Sequence, residues 1–268
     1  MKYVHDELIK NGYKLVFEDH FDGDSLNPDT WNVITMCQRG KKEKEAWRRP
    51  ENVHIKDSKL VIEGLIEEKR YTSGMINTNK KFAYKYGYAE IYAKLPKGGP
   101  GIWPGFWTQS AYKGSKVNSE IDIFEMFGDD SYIACALHAW WTDKAYNKQH
   151  HLTYNQCDGE ANTKRIEGHK MSDDWHTIGY FWCEDYVEFT VDGECYQHID
   201  INNEVCAPFH TPIFFIISMA FGLDVSCVNA PREDREEPVE YTIDYIRIYQ
   251  NETGKLYSFD EEGYLKER

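Results

Sequence analysis

"SEIDIFEMFG", residues 119–128, places Glu120, Asp122 and Glu125 within six positions. Side chains on a regular strand alternate between faces. Glu120 and Asp122 then share a face, with Ile121 and Ile123 turned to the other, and Glu125 falls on the wrong side. One extra residue inserted near Ile123 or Phe124, a β-bulge, restores the parity of the residues beyond it. The expected strand is therefore bulged, with three carboxylates meeting on its open face and apolar residues on its covered face. Three like charges on one face repel each other and raise at least one pKa. A strand with a purely structural role gains nothing from that. A site that needs one carboxylate ionised and another protonated uses it directly.

The segments around this strand alternate in the same way. "KLVIEGL" (59–65), "YGYAEIYAKL" (86–95), "YIACALHAWW" (132–141), "HTIGYFWC" (176–183), "YVEFTVDG" (186–193), "PIFFIISMAF" (212–221) and "VEYTIDYIRIYQ" (239–250) are expected strands. Turn signals such as "PKGGPG" and "GDDS" separate them, and Asp192-Gly193 marks a hairpin. One short helix is expected in "VHDELIKNG", closed by Gly12. Residues 142–170 are polar and unpatterned and are expected as one long loop. With no repeat and no low-complexity linker, residues 1–268 are expected to form a single all-β domain of two stacked or curved sheets.

Composition narrows the chemistry. Aromatic residues make up 15 % of the chain, enough for a groove that takes flat, weakly polar ligands such as sugars, or for a large packed core. A net charge of −14 argues against nucleic acid as a partner and disfavours a polyanionic glycan unless a local basic patch intervenes. The seven cysteines are odd in number and lack the spacing of a zinc site, so reduced, mostly buried thiols are expected. No apolar run is long enough to span a membrane, and the first residues do not resemble a signal peptide. A cytoplasmic protein and a secreted one lacking its leader both fit.

Glu-Ile-Asp-Ile-Phe-Glu resembles the ExDxxE active-site strand of glycoside hydrolase family sixteen in its bulged, laminarinase-like form. The likeness extends through "LVFEDHFDGDSLNPDTWNV", "YTSGMINTNKKFAYKYGYAEIYAKLPKGGPGIWPGFW", "WHTIGYFWCEDYVEFTVDG" and "YTIDYIRIYQ", in that order. It implies a β-jelly-roll sandwich of two curved antiparallel sheets with a substrate cleft on the concave side. It also implies retaining, endo-acting hydrolysis of a polysaccharide or oligosaccharide, most directly a β-1,3- or mixed β-1,3-1,4-glucan. By position Glu120 matches the nucleophile, Glu125 the acid/base, and Asp122 the carboxylate between them. His138 matches a histidine on the neighbouring strand, and Trp103 and Trp107 match sugar-stacking tryptophans. One of those two is expected in the core, with Trp103 the better candidate for the cleft floor. Trp140 and Trp47 are further candidate sugar-binding residues.

Several positions depart from the family pattern. Met75 stands where the family has arginine, and Ser218 where it has asparagine. "EKEAWRRPENV" (43–53) replaces a polar stretch of the family, so Trp47, Arg48 and Arg49 are either a different sugar-binding wall or a solvated loop. No cofactor is expected for catalysis. A structural Ca²⁺ would use Glu18, Gly64 and Asp244, the positions that match a cation site common in the family. A monomer is expected. The alternatives are a galactanase acting on agar- or carrageenan-like polymers, a transglycosylase, and a carbohydrate-binding jelly-roll without catalysis.

Overall fold

A strand with one apolar face needs another apolar surface to cover it. This chain answers with two large sheets packed face to face. The computed structural model describes residues 2–41, 44–67, 70–111, 117–143, 148–154, 163–221 and 238–268. One sheet runs, neighbour by neighbour, through Glu194–Asp200, Tyr186–Val191, His176–Trp182, Gly87–Lys94, Val239–Gln250, Leu60–Glu67, Arg70–Ser73, Lys44–Arg48 and Met36–Lys41. The other runs through Lys148–Tyr154, Ile133–Asp143, Val117–Glu125, Ile102–Ser110, Ile213–Phe221, Ala83–Lys85, Lys255–Phe259 and Leu265–Glu267. The pairing is antiparallel, except that Lys44–Arg48 runs parallel to Arg70–Ser73.

The core lies between the sheets. Ile121, Ile123, Phe124, Phe106, Ile217 and Met219 come from the second sheet and meet Ile91, Ile178, Tyr180, Tyr241, Ile243 and Ile248 from the first. Gly64 lets the sheets close. A Cβ there would lie 2.5 Å from Met219 Cε and 2.9 Å from Phe221 Cζ, so any larger residue would push a buried side chain aside. Ile213–Phe221 is buried along its whole length, because core covers one face and a second apolar cluster with Phe214, Ile216 and Met75 covers the other.

Every strand expected from alternation is present. The hairpin turns through Asp192 and Gly193, both at positive φ, and the short helix His5–Lys10 ends before Gly12 at φ +85°. The long loop is a correction. Within 142–170 the Asp143 end of one strand continues into the sheet, Lys148–Tyr154 pairs with it from Leu137↔Tyr154 to Asp143↔Lys148, and Thr163–Lys164 pairs with its other end. Lys148–Tyr154 ends the sheet's path, held by main-chain bonds. A strand there needs no apolar alternation, so the polar sequence concealed it. The described cysteines are reduced, as expected, but they are not mostly buried. Of the described cysteines, Cys135 and Cys206 are buried, Cys183 is half-buried, and Cys37 and Cys195 are exposed; all five carry thiols rather than disulfides. Cys157 and Cys227 lie outside the described residues.

Candidate active site

The bulge is present at Ile123. On one side Glu120 pairs with His138 and Asp122 with Ala136, then Glu125 with Ala134, so three steps on one strand answer two on its partner. On the other side Phe106 pairs with Phe124 and Trp107 with Asp122, which passes over Ile123. Ile123 and Phe124 both enter the core, and Glu125 returns to the face of Glu120 and Asp122.

Neighbouring strands extend that face into a floor. Ile102–Ser110 buries Ile102, Pro104, Phe106 and Thr108 and turns Trp103, Gly105, Trp107 and Gln109 the other way. Gly105 lies opposite Glu125, Trp107 opposite Asp122, and Gln109 opposite Glu120. One strand further, Ala220 faces Trp103 and Ser218 faces Gly105. The resulting cleft, about 210 Å³, is lined by the three carboxylates, Trp103, Trp107, Gly105, Ser218, Ala220 and Arg48. Gly105 keeps the floor low beside Glu125, whose Cγ would be 3.8 Å from an added Cβ.

Each carboxylate has its own surroundings. Gln109 Nε2 donates to Glu120 at 3.2 Å. His138 Nε2 lies 3.3 Å from Asp122 Oδ2, and Trp103 Nε1 donates to Glu125 Oε1 at 2.8 Å. The ligand-type atoms of Glu120, Asp122 and His138 all fall within 4.8 Å of one another. Burial raises the pKa of Glu120, while the Gln109 bond and the charge of His138 pull it back. Asp122, only 3 % exposed, is raised well above the usual carboxylate range by burial and by Glu120 beside it. Glu125 is raised likewise, by burial first and then by Asp122, with the Trp103 bond opposing. The set can therefore hold protons and a charge together near neutrality.

The aromatic candidates separate. Trp103 and Trp107 both lie on the open face, half-buried, and neither joins the core between the sheets. Trp103 packs on Phe127 with ring centroids 5.5 Å apart. Trp107 leans into the apolar cluster with Met75 and donates Nε1 to Ser218 Oγ at 3.1 Å. His138 stacks on Trp140, with centroids 5.7 Å apart and planes 15° off parallel. Trp47 is half-buried with the Arg49 guanidinium 5.8 Å from its ring centre, and it does not line the cleft. Gln109 belongs to the site without having been singled out in the sequence, although it shares the parity of Trp103 and Trp107 in "IWPGFWTQS". Met75, buried beside Trp107, puts a thioether where the family pattern has a guanidinium.

The expected cation ligands do not come together. Glu18 pairs with Arg247, and Gly64 with Val239, eight residues apart along the same strand, or roughly 26 Å. The two carboxylates are also answered by cations already: Lys59 Nζ sits 3.3 Å from Asp244 Oδ1, and Arg247 Nε lies 3.5 Å from Glu18 Oε2, which is also 3.0 Å from His20 Nε2. Oxygen ligands for Ca²⁺ must converge within about 2.3–2.6 Å of the ion. These three residues do not fit one.

Known proteins resemble this chain along most of its length. The family described as glycosyl hydrolases family 16 matches residues 40–247. Glucan endo-1,3-beta-glucosidase A1 of Niallia circulans is 26 % identical over 276 residues, covering 90 % of this chain; the chain spans only 38 % of that relative's length. The laminarinase catalytic domain of Thermotoga maritima MSB8 superposes with a TM-score of 0.69 at 30 % identity, covering 90 % of this chain and 99 % of that one. A structure from work on endo-acting O-glycanases of the human gut microbiota that initiate mucin breakdown superposes with a TM-score of 0.73 at 27 % identity, covering 90 % and 92 %.

Proposed function

The chain belongs to glycosyl hydrolase family 16, and from that membership we propose that it is a retaining endo-β-glycanase acting on β-1,3- or mixed β-1,3-1,4-glucan, with residues 1–268 as one catalytic domain. The observation that carries the reading is the bulge at Ile123, which turns Glu120, Asp122 and Glu125 onto one cleft floor beside Trp103 and Trp107. The relatives' names supply the substrate class.

Glu120 is the nucleophile in this reading. Gln109 and His138 favour its charged form, so it ionises first. Glu125 is the acid/base, held protonated by burial and by Asp122. Glu120 attacks the anomeric carbon as the glycosidic C–O bond breaks, and the Glu125 proton passes to the leaving oxygen. Glu125, now ionised, takes a proton from water, and that water releases the sugar from Glu120 with the starting configuration. Asp122 and Glu120 titrate as a pair, so a proton on Asp122 keeps Glu120 charged. His138 holds Asp122 from the next strand, and Trp103 and Trp107 offer ring faces to the glycan.

Endo-action on O-glycan chains is the second reading, favoured by the likeness to the structure from the mucin work. Reducing-sugar release from laminarin, lichenan, agarose, carrageenan, xyloglucan and mucin separates the two. Release from laminarin or lichenan is expected. Release from mucin alone would establish the second reading, and release from none would overturn both.

A further inference from the structure

Arg48 is an anomaly in the cleft wall. It is 7 % exposed, yet it lines the same cleft as Trp103, Glu125, Ser218 and Ala220. Its strand Lys44–Arg48 runs parallel to Arg70–Ser73, with Arg48 opposite Ser73, and Ser73 Oγ donates to the Met219 carbonyl at 2.7 Å. Arg48 shares the cleft wall with Ser218 and Ala220 of the floor strand. Its Nε is buried without a hydrogen-bond partner among the described residues. Burial pushes its pKa down to about 10, and no described carboxylate offsets that. The three site carboxylates, for their part, are shifted by one another and by His138, not by Arg48. A desolvated, uncompensated charge destabilises the fold, so a residue type that never sheds its proton is a poor choice for mere packing here.

Its sequence context is cationic in an anionic protein. Residues 39–49, "RGKKEKEAWRR", hold six Lys or Arg against two Glu, in a chain whose net charge is −14. Two paired strands, Met36–Lys41 and Lys44–Arg48, form the end of their sheet there.

We propose that Arg48 is a specificity-determining residue of the cleft and that it binds a negatively charged substituent on the glycan, the carboxylate of a uronic acid or a sulfate ester. Neutral hydroxyls could satisfy its N–H groups but would leave its charge buried and unanswered. An oxyanion satisfies both, and its two oxygens match the planar fork of the guanidinium. The inference rests on the glycanase reading for the identity of the ligand as a sugar chain, and it adds to that reading a preference for chains that carry an acidic substituent.

The test compares a β-1,3-linked gluco-tetrasaccharide with the same chain carrying one sulfate ester, or one glucuronate, at each ring in turn. Calorimetric titration of the full chain and initial rates of cleavage are both recorded. The full chain is expected to bind at least one charged isomer about ten-fold or more tighter than the neutral chain, with that preference shrinking as salt rises. Arg48→Met should bring the ratio close to one, and Arg48→Lys should restore part of it. A sulfate-only or uronate-only preference identifies the substituent. Equal affinity for every isomer overturns the proposal, and so does an Arg48→Met variant that weakens charged and neutral chains alike. Should Arg48→Met fail to fold, the ratio for the unaltered chain still decides. Charge-dependent binding without cleavage would sink the glycanase reading and leave this one standing.

Discussion

Trp103 donates its indole N–H to Glu125 at 2.8 Å, and that bond opposes the burial that keeps Glu125 protonated. The two effects can be separated. Trp103→Phe keeps a ring face and removes the donor, so the Glu125 pKa should rise further. A proton donor must be protonated in the free enzyme, so the alkaline limb of kcat/KM should move to higher pH. Trp103→Ala should add a loss of about 1 kcal/mol, roughly five-fold in kcat/KM, from lost stacking. An unmoved alkaline limb in Trp103→Phe would show that Glu125 does not set it.

His138 acts on the opposite limb. Its charge lowers the pKa of Glu120, so His138→Gln should raise it. A nucleophile must be ionised, which places its pKa on the acidic limb of the profile. That limb should shift to higher pH in His138→Gln, with KM changing less than kcat at low pH. A shift of the alkaline limb alone would contradict the assignment of Glu120.

Asp122 links the site to stability. Its pKa is raised in the folded protein, so the folded state holds a proton that the unfolded state gives up. The stability from that proton is complete below the ordinary carboxylate pKa, about 4, and is lost as pH rises through the folded-state pKa. An asparagine side chain cannot ionise. Asp122→Asn should therefore melt at a higher temperature than the unaltered protein at neutral and alkaline pH, and the two should converge toward about pH 4. Activity should fall in the same variant. A constant difference in melting temperature across pH would mean that Asp122 has the same pKa in the folded and unfolded states.

Much of this was legible in "SEIDIFEMFG". Ile121, Ile123, Phe124 and Met126 permit one core-facing solution for three outward carboxylates, and the bulge comes from counting. The edge strand Lys148–Tyr154 was not legible, because main-chain pairing leaves no apolar signature. Gln109 was available from parity alone. The cation ligands failed for a different reason. A match of residue types between strands says nothing about register, and register places Glu18 and Gly64 far apart along Val239–Gln250. Arg48 was visible as a residue but not as a buried one, since a cation beside a proline turn reads as solvated.

The pairing of Lys59 with Asp244 gives the cation question a direct answer. An ion that binds only the folded state raises melting temperature by mass action. With no converging oxygen site at Glu18, Gly64 and Asp244, millimolar Ca²⁺ and excess chelator should give melting temperatures within about 1 °C of each other. Lys59→Gln should leave that difference unchanged. A chelator-dependent fall that Asp244→Asn abolishes would restore the cation site.

Glu120 and Glu125 can be told apart by stereochemistry. In Glu120→Ala a cavity opens on the face opposite the leaving group, with Glu125 still able to donate its proton. Azide entering that cavity should displace a reactive leaving group once, giving the α-glycosyl azide from a β substrate. In Glu125→Ala the nucleophile remains. A good leaving group needs little acid help, so the glycosyl-enzyme forms, and it accumulates because the second step lacks its base. Azide needs no base and attacks from the original side, so this variant should give the β-glycosyl azide. Intact-mass measurement should show the sugar adduct in Glu125→Ala and its absence in Glu120→Ala. The same anomer from both variants, or inverted product from the unaltered chain, would remove Glu120 from the role of nucleophile.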